Sequence, residues 1–402
     1  MNAQVNSIRE YNGSLYVAGE FSNAGGMNAN SIAKWDGNSW SPLIDSSIGN
    51  GILTMTVYHN SLYVGGIFHI DSGTTICNNV AKWNGVNWSP VVNGTTNYVI
   101  GSAVFQNNLY IASSNSNSGD SLIAKWNDTT WTLSNFNVTG FGSLVEAIAV
   151  FNGELYIAGT FTIAGNNAEN YIAKWNGTNW SPVGLGLNRW VRSLAVYNGE
   201  LYAAGNFDSA GTVPANGIAR WNGTTWSSLT NSPNASLIRT MTAYHNELYV
   251  GGYFDSIGSV SARNIARWNG TNWSNLGLGL NNVVNSLEIY NNDLYAGGNF
   301  DSAGNVMSPK IAKWNSPVGI EDFFSSNSLH IFPNPTFDKI TIKSCMQLDY
   351  IELHDLSGKL LKQNKLADKE FELDVTDLSA GIYFITINQK GKLFHNKVVK
   401  QH

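Results

Sequence analysis

Cysteine is almost missing from this chain. Only Cys77 and Cys345 occur in 402 residues, far apart and in different segments, which leaves no basis for a structural disulfide or a zinc site. Charge is also sparse: charged residues make up 13% of the sequence and the formal net charge is −5. No basic block points to nucleic acid, and no acidic tail points to a histone-like partner. No apolar run approaches the roughly 18 residues that would span a membrane. The start, Met1-Asn2-Ala3-Gln4-Val5, lacks the basic and apolar regions of a signal peptide. No serine nucleophile elbow and no phosphate-binding loop occur.

What is abundant is aromatic residues, glycine and Asn-Gly pairs, a mixture that favours all-β structure with many tight turns. The length allows a large core and more than one domain. Leu-Tyr recurs at residues 15, 62, 109, 155, 201, 248 and 294, in steps of 46 or 47. An Ile/Val-Ala-Lys/Arg-Trp marker ends at Trp35, Trp83, Trp126, Trp175, Trp221, Trp268 and Trp314. Another tryptophan follows at Trp40, Trp88, Trp131, Trp180, Trp226 and Trp273, but not in the seventh copy.

Each copy reads as four short strands. In the fifth, the expected strands are Val191 to Tyr197, Glu200 to Phe207, Gly217 to Trp221 and Trp226 to Leu229. Asn198-Gly199 forms a type I′ turn, which needs positive φ at both central residues. The second strand has apolar residues on both parities, as a sheet covered on both faces requires. Such units at this period match propeller blades. The expectation is an all-β, seven-bladed β-propeller with four-stranded blades over 1–315. The last blade, which stops at Trp314-Asn315, is incomplete.

The glycine pairs Gly65-Gly66, Gly251-Gly252 and Gly297-Gly298, with the two tryptophan markers, resemble kelch repeats from Val5 to Asn315, although most copies carry Ala-Gly instead. The resemblance implies a closed ring of blades. Some kelch-like propellers are copper oxidases, but His59, His69, His245 and Cys77 do not assemble that ligand set, and no cofactor or metal is expected. Only Met1 to Gln4 precede the first strand, too few to supply the missing outer strand. The sequence is therefore expected to be an N-terminally shortened form of a product with a leader and a tryptophan-bearing strand; the alternative is a last blade of three strands.

Composition shifts near residue 320. Residues 329–402 hold 10 of the 23 basic and 9 of the 28 acidic residues. Residues 316–328 read as a linker, and alternating segments such as Lys339 to Lys343 and Gly381 to Ile387 predict a small Ig-like β-sandwich over 329–402. Four ordered motifs here resemble the type A C-terminal sorting domain of the type IX secretion system. They are Ile331-Phe332-Pro333-Asn334-Pro335, Leu356-Ser357-Gly358-Lys359, Asp377 to Tyr383 (with Gly381), and Lys397-Val398-Val399-Lys400. The resemblance implies export by that machinery in a Bacteroidetes-type cell, and a secreted or outer-membrane-surface location.

Variable loops on a rigid frame are the usual place for recognition. Alignment of the first strands puts Asn6, Leu53, Ile100, Glu146, Arg192, Arg239 and Asn285 in one ring at the channel mouth. Glu146, Arg192 and Arg239 fall on consecutive blades, with Trp190 and Tyr98 nearby. A carboxylate, two guanidinium forks and aromatic plates suit a sugar or an anionic glycan. Elsewhere, Arg9 and Glu288 are expected to pair across the ring closure. Asp208, Asp255 and Asp301 read as turn formers rather than metal ligands. The expected function is binding of an extracellular glycan or protein rather than catalysis. The alternatives are a carbohydrate-active hydrolase or lyase, and a structural or adhesive surface protein.

Overall fold

The computed structural model describes residues 1–43, 51–71, 76–91, 97–114, 121–132, 137–139, 144–165, 167–229, 238–314, 329–332, 336–344, 347–355, 358–389 and 392–400. The expected linker 316–328, Cys345 and the Pro333-Asn334-Pro335 motif lie outside them. The chain divides into two units, Met1–Asn315 and Ser316–His402. All described secondary structure is strand and turn, and no helix is long and apolar enough to cross a membrane.

The first unit is a propeller of repeated antiparallel sheets, each with its strands in chain order from the inside outward. In the fifth repeat the strands are Val191–Tyr197, Glu200–Gly205, Ile218–Trp221 and Trp226–Ser228. The second strand ends two residues earlier than expected, because Asn206 leaves the ladder to donate to the Trp190 carbonyl at 2.8 Å. The expected loop from Asp208 to Asn216 is itself built, as a ribbon pairing Ser209–Ala210 with Val213–Pro214. In the second blade residues 69–71 and 76–79 extend the second and third strands, Ser61–Asp71 and Ile76–Trp83.

The turn chemistry is uniform. Asn198 and Gly199 have φ of 50° and 74°, and His245-Asn246 and Gln106-Asn107 take the same left-handed pair in their own repeats. The second strands are buried along nearly their whole length, on both faces, as Leu201, Tyr202, Ala203 and Ala204 show. Each sheet is therefore covered by its neighbours, and the core is a series of clusters between blades rather than one central mass. The first-strand tyrosine of one blade donates to the turn of the next: Tyr11 to Asn60 O at 3.0 Å, Tyr197 to Asn246 O at 2.8 Å and Tyr244 to Asn292 O at 2.7 Å.

The same contacts close the ring between the seventh repeat and the first. Tyr290 donates to Gly13 O at 3.1 Å, Asn285 Nδ2 to Val5 O at 3.0 Å, and Arg9 pairs with Glu288 at 3.3 Å. Gly297 leaves the space that Val5 fills, since a Cβ there would meet Val5 Cγ1 at 2.5 Å. Among the described residues the seventh sheet has three strands: Val284–Tyr290, Asp293–Gly298 and Ile311–Trp314. In the last four repeats the lysine or arginine before the third-strand tryptophan has an acidic partner that sequence spacing did not reveal. Lys174, Arg220, Arg267 and Lys313 pair with Glu154, Glu200, Glu247 and Asp293, the residues that open the second strands.

The second unit is a β-sandwich. One sheet orders Leu329–Phe332, Lys339–Ser344 and Glu370–Asp374; the other orders Leu360–Lys365, Tyr350–His354, Gly381–Gln389 and Lys392–Lys400. Ile340, Ile342, Ile351, Leu353, Ile385 and Ile387 alternate inward to form its core.

One glycine position controls how the blades feed the channel mouth. A Cβ on Gly205 would lie 2.2 Å from the Trp190 carbonyl oxygen, and the equivalents Gly19, Gly66, Gly159 and Gly298 are equally tight. Gly205→Ala is expected to lower stability by about 1–3 kcal/mol through overpacking against fixed backbone. Gly199→Ala, where nothing lies within 4 Å of the new Cβ and only the positive φ of 74° opposes it, should cost about 1 kcal/mol. Urea unfolding of both variants measures the difference.

Candidate functional site

All seven first strands slip register by one residue near their start, between Val5/Ser7, Ile52/Thr54, Val99/Gly101, Val145/Ala147, Val191/Ser193, Ile238/Thr240 and Val284/Ser286. The skipped residues are Asn6, Leu53, Ile100, Glu146, Arg192, Arg239 and Asn285, the ring inferred by aligning the repeats. A β-bulge leaves its extra residue outside the ladder and re-aims its side chain. The ring is thus made of residues that the sheet hydrogen bonding does not use, and they reach sideways to one another.

Arg192 Nη1 lies 3.1 Å from Glu146 Oε2, and both side chains are mostly buried. Arg239 Nη1 donates to Asn285 Oδ1 at 3.0 Å, Asn285 in turn to Val5 O, and Asn6 Nδ2 to Ile52 O at 3.3 Å. The Arg192 guanidinium carbon lies 5.8 Å from the centre of the Trp190 ring, within cation–π range. Burial pushes the Glu146 carboxyl above its ordinary value, and Arg192 and Arg239 draw it partly back. Burial, and then Arg192, hold the Arg239 guanidinium below its ordinary value.

Glu146, Arg192, Arg239 and Trp190 therefore come together. Tyr98 opens the first strand of the blade before Glu146, opposite Ser114, and is exposed. Among the described residues no carboxylate pairs with Arg239, whose partner is the neutral amide of Asn285. Asn285 belongs to the aligned ring, but its part in holding Arg239 is visible only in three dimensions.

The loop aspartates pair locally. Asp208 faces Arg189 at 3.6 Å and Asp301 faces Lys310 at 2.7 Å, and the carbonyls of Asp208, Asp255 and Asp301 anchor their own ribbons. His59 contacts Asp128 and stacks on Tyr58 on the short-turn face, and burial pushes the Cys77 thiol up to about 11.

Glu169 is a titratable group that repeat reading passed over. It is 1% exposed, and among the described residues neither carboxyl oxygen has a hydrogen-bond partner. The corresponding positions of other blades carry Ala29, Ala215 and Ala262, all buried; comparing the ribbons as well as the first strands would have exposed the exception. Burial pushes its carboxyl from 4.5 up to about 7. A buried carboxyl without a partner is held protonated, so folding takes up a proton between those values. Stability is accordingly full below pH 4.5 and is lost as pH rises through about 7, by up to about 3 kcal/mol. Glu169→Ala is expected to remove most of that slope in thermal unfolding from pH 4.5 to 8. Glu146 and Glu288, also raised by burial, leave a residual slope of the same sign.

In the second unit, Gly358 takes a φ of 82° in the turn closed by its amide on the Asp355 carbonyl at 3.0 Å. Asp377 pairs with Lys362. Tyr383 donates to Ser379 O at 2.7 Å, and Gly381 pairs with Lys400 across the last two strands. Lys397 pairs with Phe384 in the same ladder, and its side chain lies outside the described residues.

No curated protein matches the chain. Among solved structures it is similar to PorZ of Porphyromonas gingivalis, described as an essential bacterial surface component of the type-IX secretion system. The two share 13% identity at a TM-score of 0.52, over 100% of this chain and 60% of that one. The chain thus spans about three-fifths of PorZ, and at this identity the likeness concerns the fold. A weaker likeness is to BBS1N in complex with ARL6DN, at 13% identity and a TM-score of 0.43 over 74% of this chain and 90% of that one. Residues 330–401 match the family model of the secretion system C-terminal sorting domain, so the second unit is the tail through which the type IX machinery exports this protein to the cell surface or the medium.

Proposed function

We propose that the exported propeller is a binding protein whose channel mouth takes an anionic glycan. The observation that carries this reading is the uncompensated charge at the mouth. Two guanidinium groups stand on adjacent blades with one carboxylate, and Arg239 rests on the neutral Asn285 amide. Arg239 thus offers charge and unused donors to an incoming carboxylate or sulfate, in the two-point fashion guanidinium favours. Trp190, 38% exposed beside Arg192, supplies an apolar plate for a sugar face. The Arg192–Glu146 pair orients the first guanidinium and offers a carboxylate acceptor for sugar hydroxyls. Tyr98 extends the rim by one blade. A glycosidase reading needs a second carboxylate at a set separation, and the other ring positions carry Asn, Leu, Ile and Arg.

Two measurements bear on this. Wild-type protein is expected to bind carboxylated or sulfated glycans on an array, and Arg192→Ala/Arg239→Ala to lose at least about tenfold in affinity, as loss of charged hydrogen bonds implies. Identical array profiles for the two proteins would defeat the site. Separately, with the same periplasmic leader fused to both, a chain ending at residue 328 is expected to stay in the periplasm of a host with a type IX system while the full chain reaches the surface or medium. Export of the shortened chain would remove the assigned role of the tail.

A further inference from the structure

The short-turn end of the channel carries a cavity of about 610 Å³ between the first-strand turns of the fifth and sixth blades. That volume falls within the range of ligand pockets. Val196, Asn198, Ala243, His245, Asn246 and Asn269 are among its walls. The first strand Val191–Tyr197 has seven residues, and at about 3.3 Å per residue it holds the cavity roughly 20 Å from Arg192. The cavity is therefore independent of whatever the charged mouth binds.

The repeat supplies its own comparison. In the three preceding interfaces the side chain that opens the first-strand turn crosses to the third-strand turn of the next blade and spans this space. His59 bridges Asp128 and Asn107, with its Nε2 2.9 Å from Asn107 Oδ1. Gln106 donates to Asn176 O at 3.5 Å, and a Cβ on Gly177 would meet Gln106 Oε1 at 2.8 Å. A Cβ on Gly223 would lie 3.3 Å from Asn152 Nδ2. At the fifth–sixth interface Asn198 stands where His59 does, Gly270 where Asp128 does and Asn246 where Asn107 does. Among the described residues, a Cβ on Gly270 would have only the Tyr197 hydroxyl within 4 Å, at 3.7 Å. Asn198 does not cross, and the space stays open.

The groups around it are chemically specific. Tyr197 and Tyr244 are buried, and their hydroxyls are committed to Asn246 O and Asn292 O. His245 is exposed and lies on Tyr244, with ring centres 3.9 Å and planes 21° apart; its Nε2 is 3.2 Å from Asn292 Oδ1. The side-chain amides of Asn198 and Asn246 are exposed and have no hydrogen-bond partner among the described residues. The Asn269 oxygen caps its own turn, accepting from Thr271 N at 2.9 Å and Asn272 N at 2.8 Å, which leaves its amide nitrogen as a donor. Val196, 41% exposed, and Ala243 add an aliphatic wall. The lining holds no Asp, Glu, Lys or Arg.

We infer that this cavity binds a neutral pyranose residue. A side-chain amide both donates and accepts, and so does each sugar hydroxyl, so neighbouring hydroxyls find matched partners on Asn198 and Asn246. The C–H face of the sugar packs on Val196, Ala243 and the open face of the His245 ring. With no ionised group in the lining, the site has nothing to hold the carboxylate or sulfate that the mouth is built to take.

The test titrates the full chain with the methyl α-pyranosides of glucose, galactose and mannose, followed by saturation-transfer NMR. Saturable binding of at least one is expected. Asn198→His/Gly270→Asp copies the His59–Asp128–Asn107 bridge across the cavity and should weaken binding at least about tenfold. His59 and Asp128 have φ of 43° and 75°, and Asn198 and Gly270 have 50° and 97°, so the variant is expected to fold, which thermal unfolding checks. Asn198→Gly/Asn246→Gly removes both amides where glycine accepts the positive φ, and should weaken binding at least about fivefold. Arg192→Ala/Arg239→Ala should bind the pyranoside as wild type does, whether or not it still binds anionic glycans. No saturable binding of any of the three sugars, or equal binding by the Asn198→His/Gly270→Asp protein, would overturn the inference. Loss of binding in Arg192→Ala/Arg239→Ala alone would overturn it too, by placing the sugar at the mouth.

Discussion

Every repeat in the first unit exposes two apolar faces and can hide neither alone. That single constraint organises the propeller. Burial of alternating and opposite-parity residues such as Leu201, Tyr202, Ala203 and Ala204 demands a neighbour on each side, and a row of such sheets satisfies the demand throughout only by returning to its start. The closing contacts at Tyr290, Asn285, Arg9 and Gly297 repeat the internal blade contacts, so the closing interface is built from the same bonds as the others.

The bulge follows from the same geometry. The connection entering each blade passes so close to the end of the second strand that most blades carry glycine there, and the first strand answers with one extra residue. That residue has no duty in the ladder. Seven unassigned side chains are delivered to the mouth, where the blades differ most freely: Leu53 and Ile100 are apolar, Asn6 and Asn285 tie down backbone, and Glu146, Arg192 and Arg239 carry charge. A uniform frame thus generates a variable rim without disturbing its own hydrogen bonds.

The two units answer different questions. The sorting domain, recognised by family, says how the protein leaves the cell. The propeller says what kind of surface it then presents: a closed ring of sheets with charged side chains at the channel mouth.

Much was legible from sequence because repetition multiplies weak signals. One Asn-Gly is a turn; seven turn pairs at a period of 46 or 47 residues, each flanked by Leu-Tyr and Lys/Arg-Trp, define a blade. The ring of Glu146, Arg192 and Arg239 was found by the same alignment, and so was the Arg9–Glu288 pair. What alignment did not reveal were partners within a blade, such as Glu154 for Lys174, and exceptions such as Glu169 among alanines. Sequence by itself determined the architecture, because blade identity rests on local period and turn chemistry. Only tertiary structure decided which ring residues pair, that Arg239 faces an amide rather than a carboxylate, and that Leu276, Leu278 and Trp314 line an apolar groove beside the seventh sheet. Those outcomes depend on distances between side chains that lie 46 or more residues apart in the chain, and a period records spacing along the chain but not reach across space.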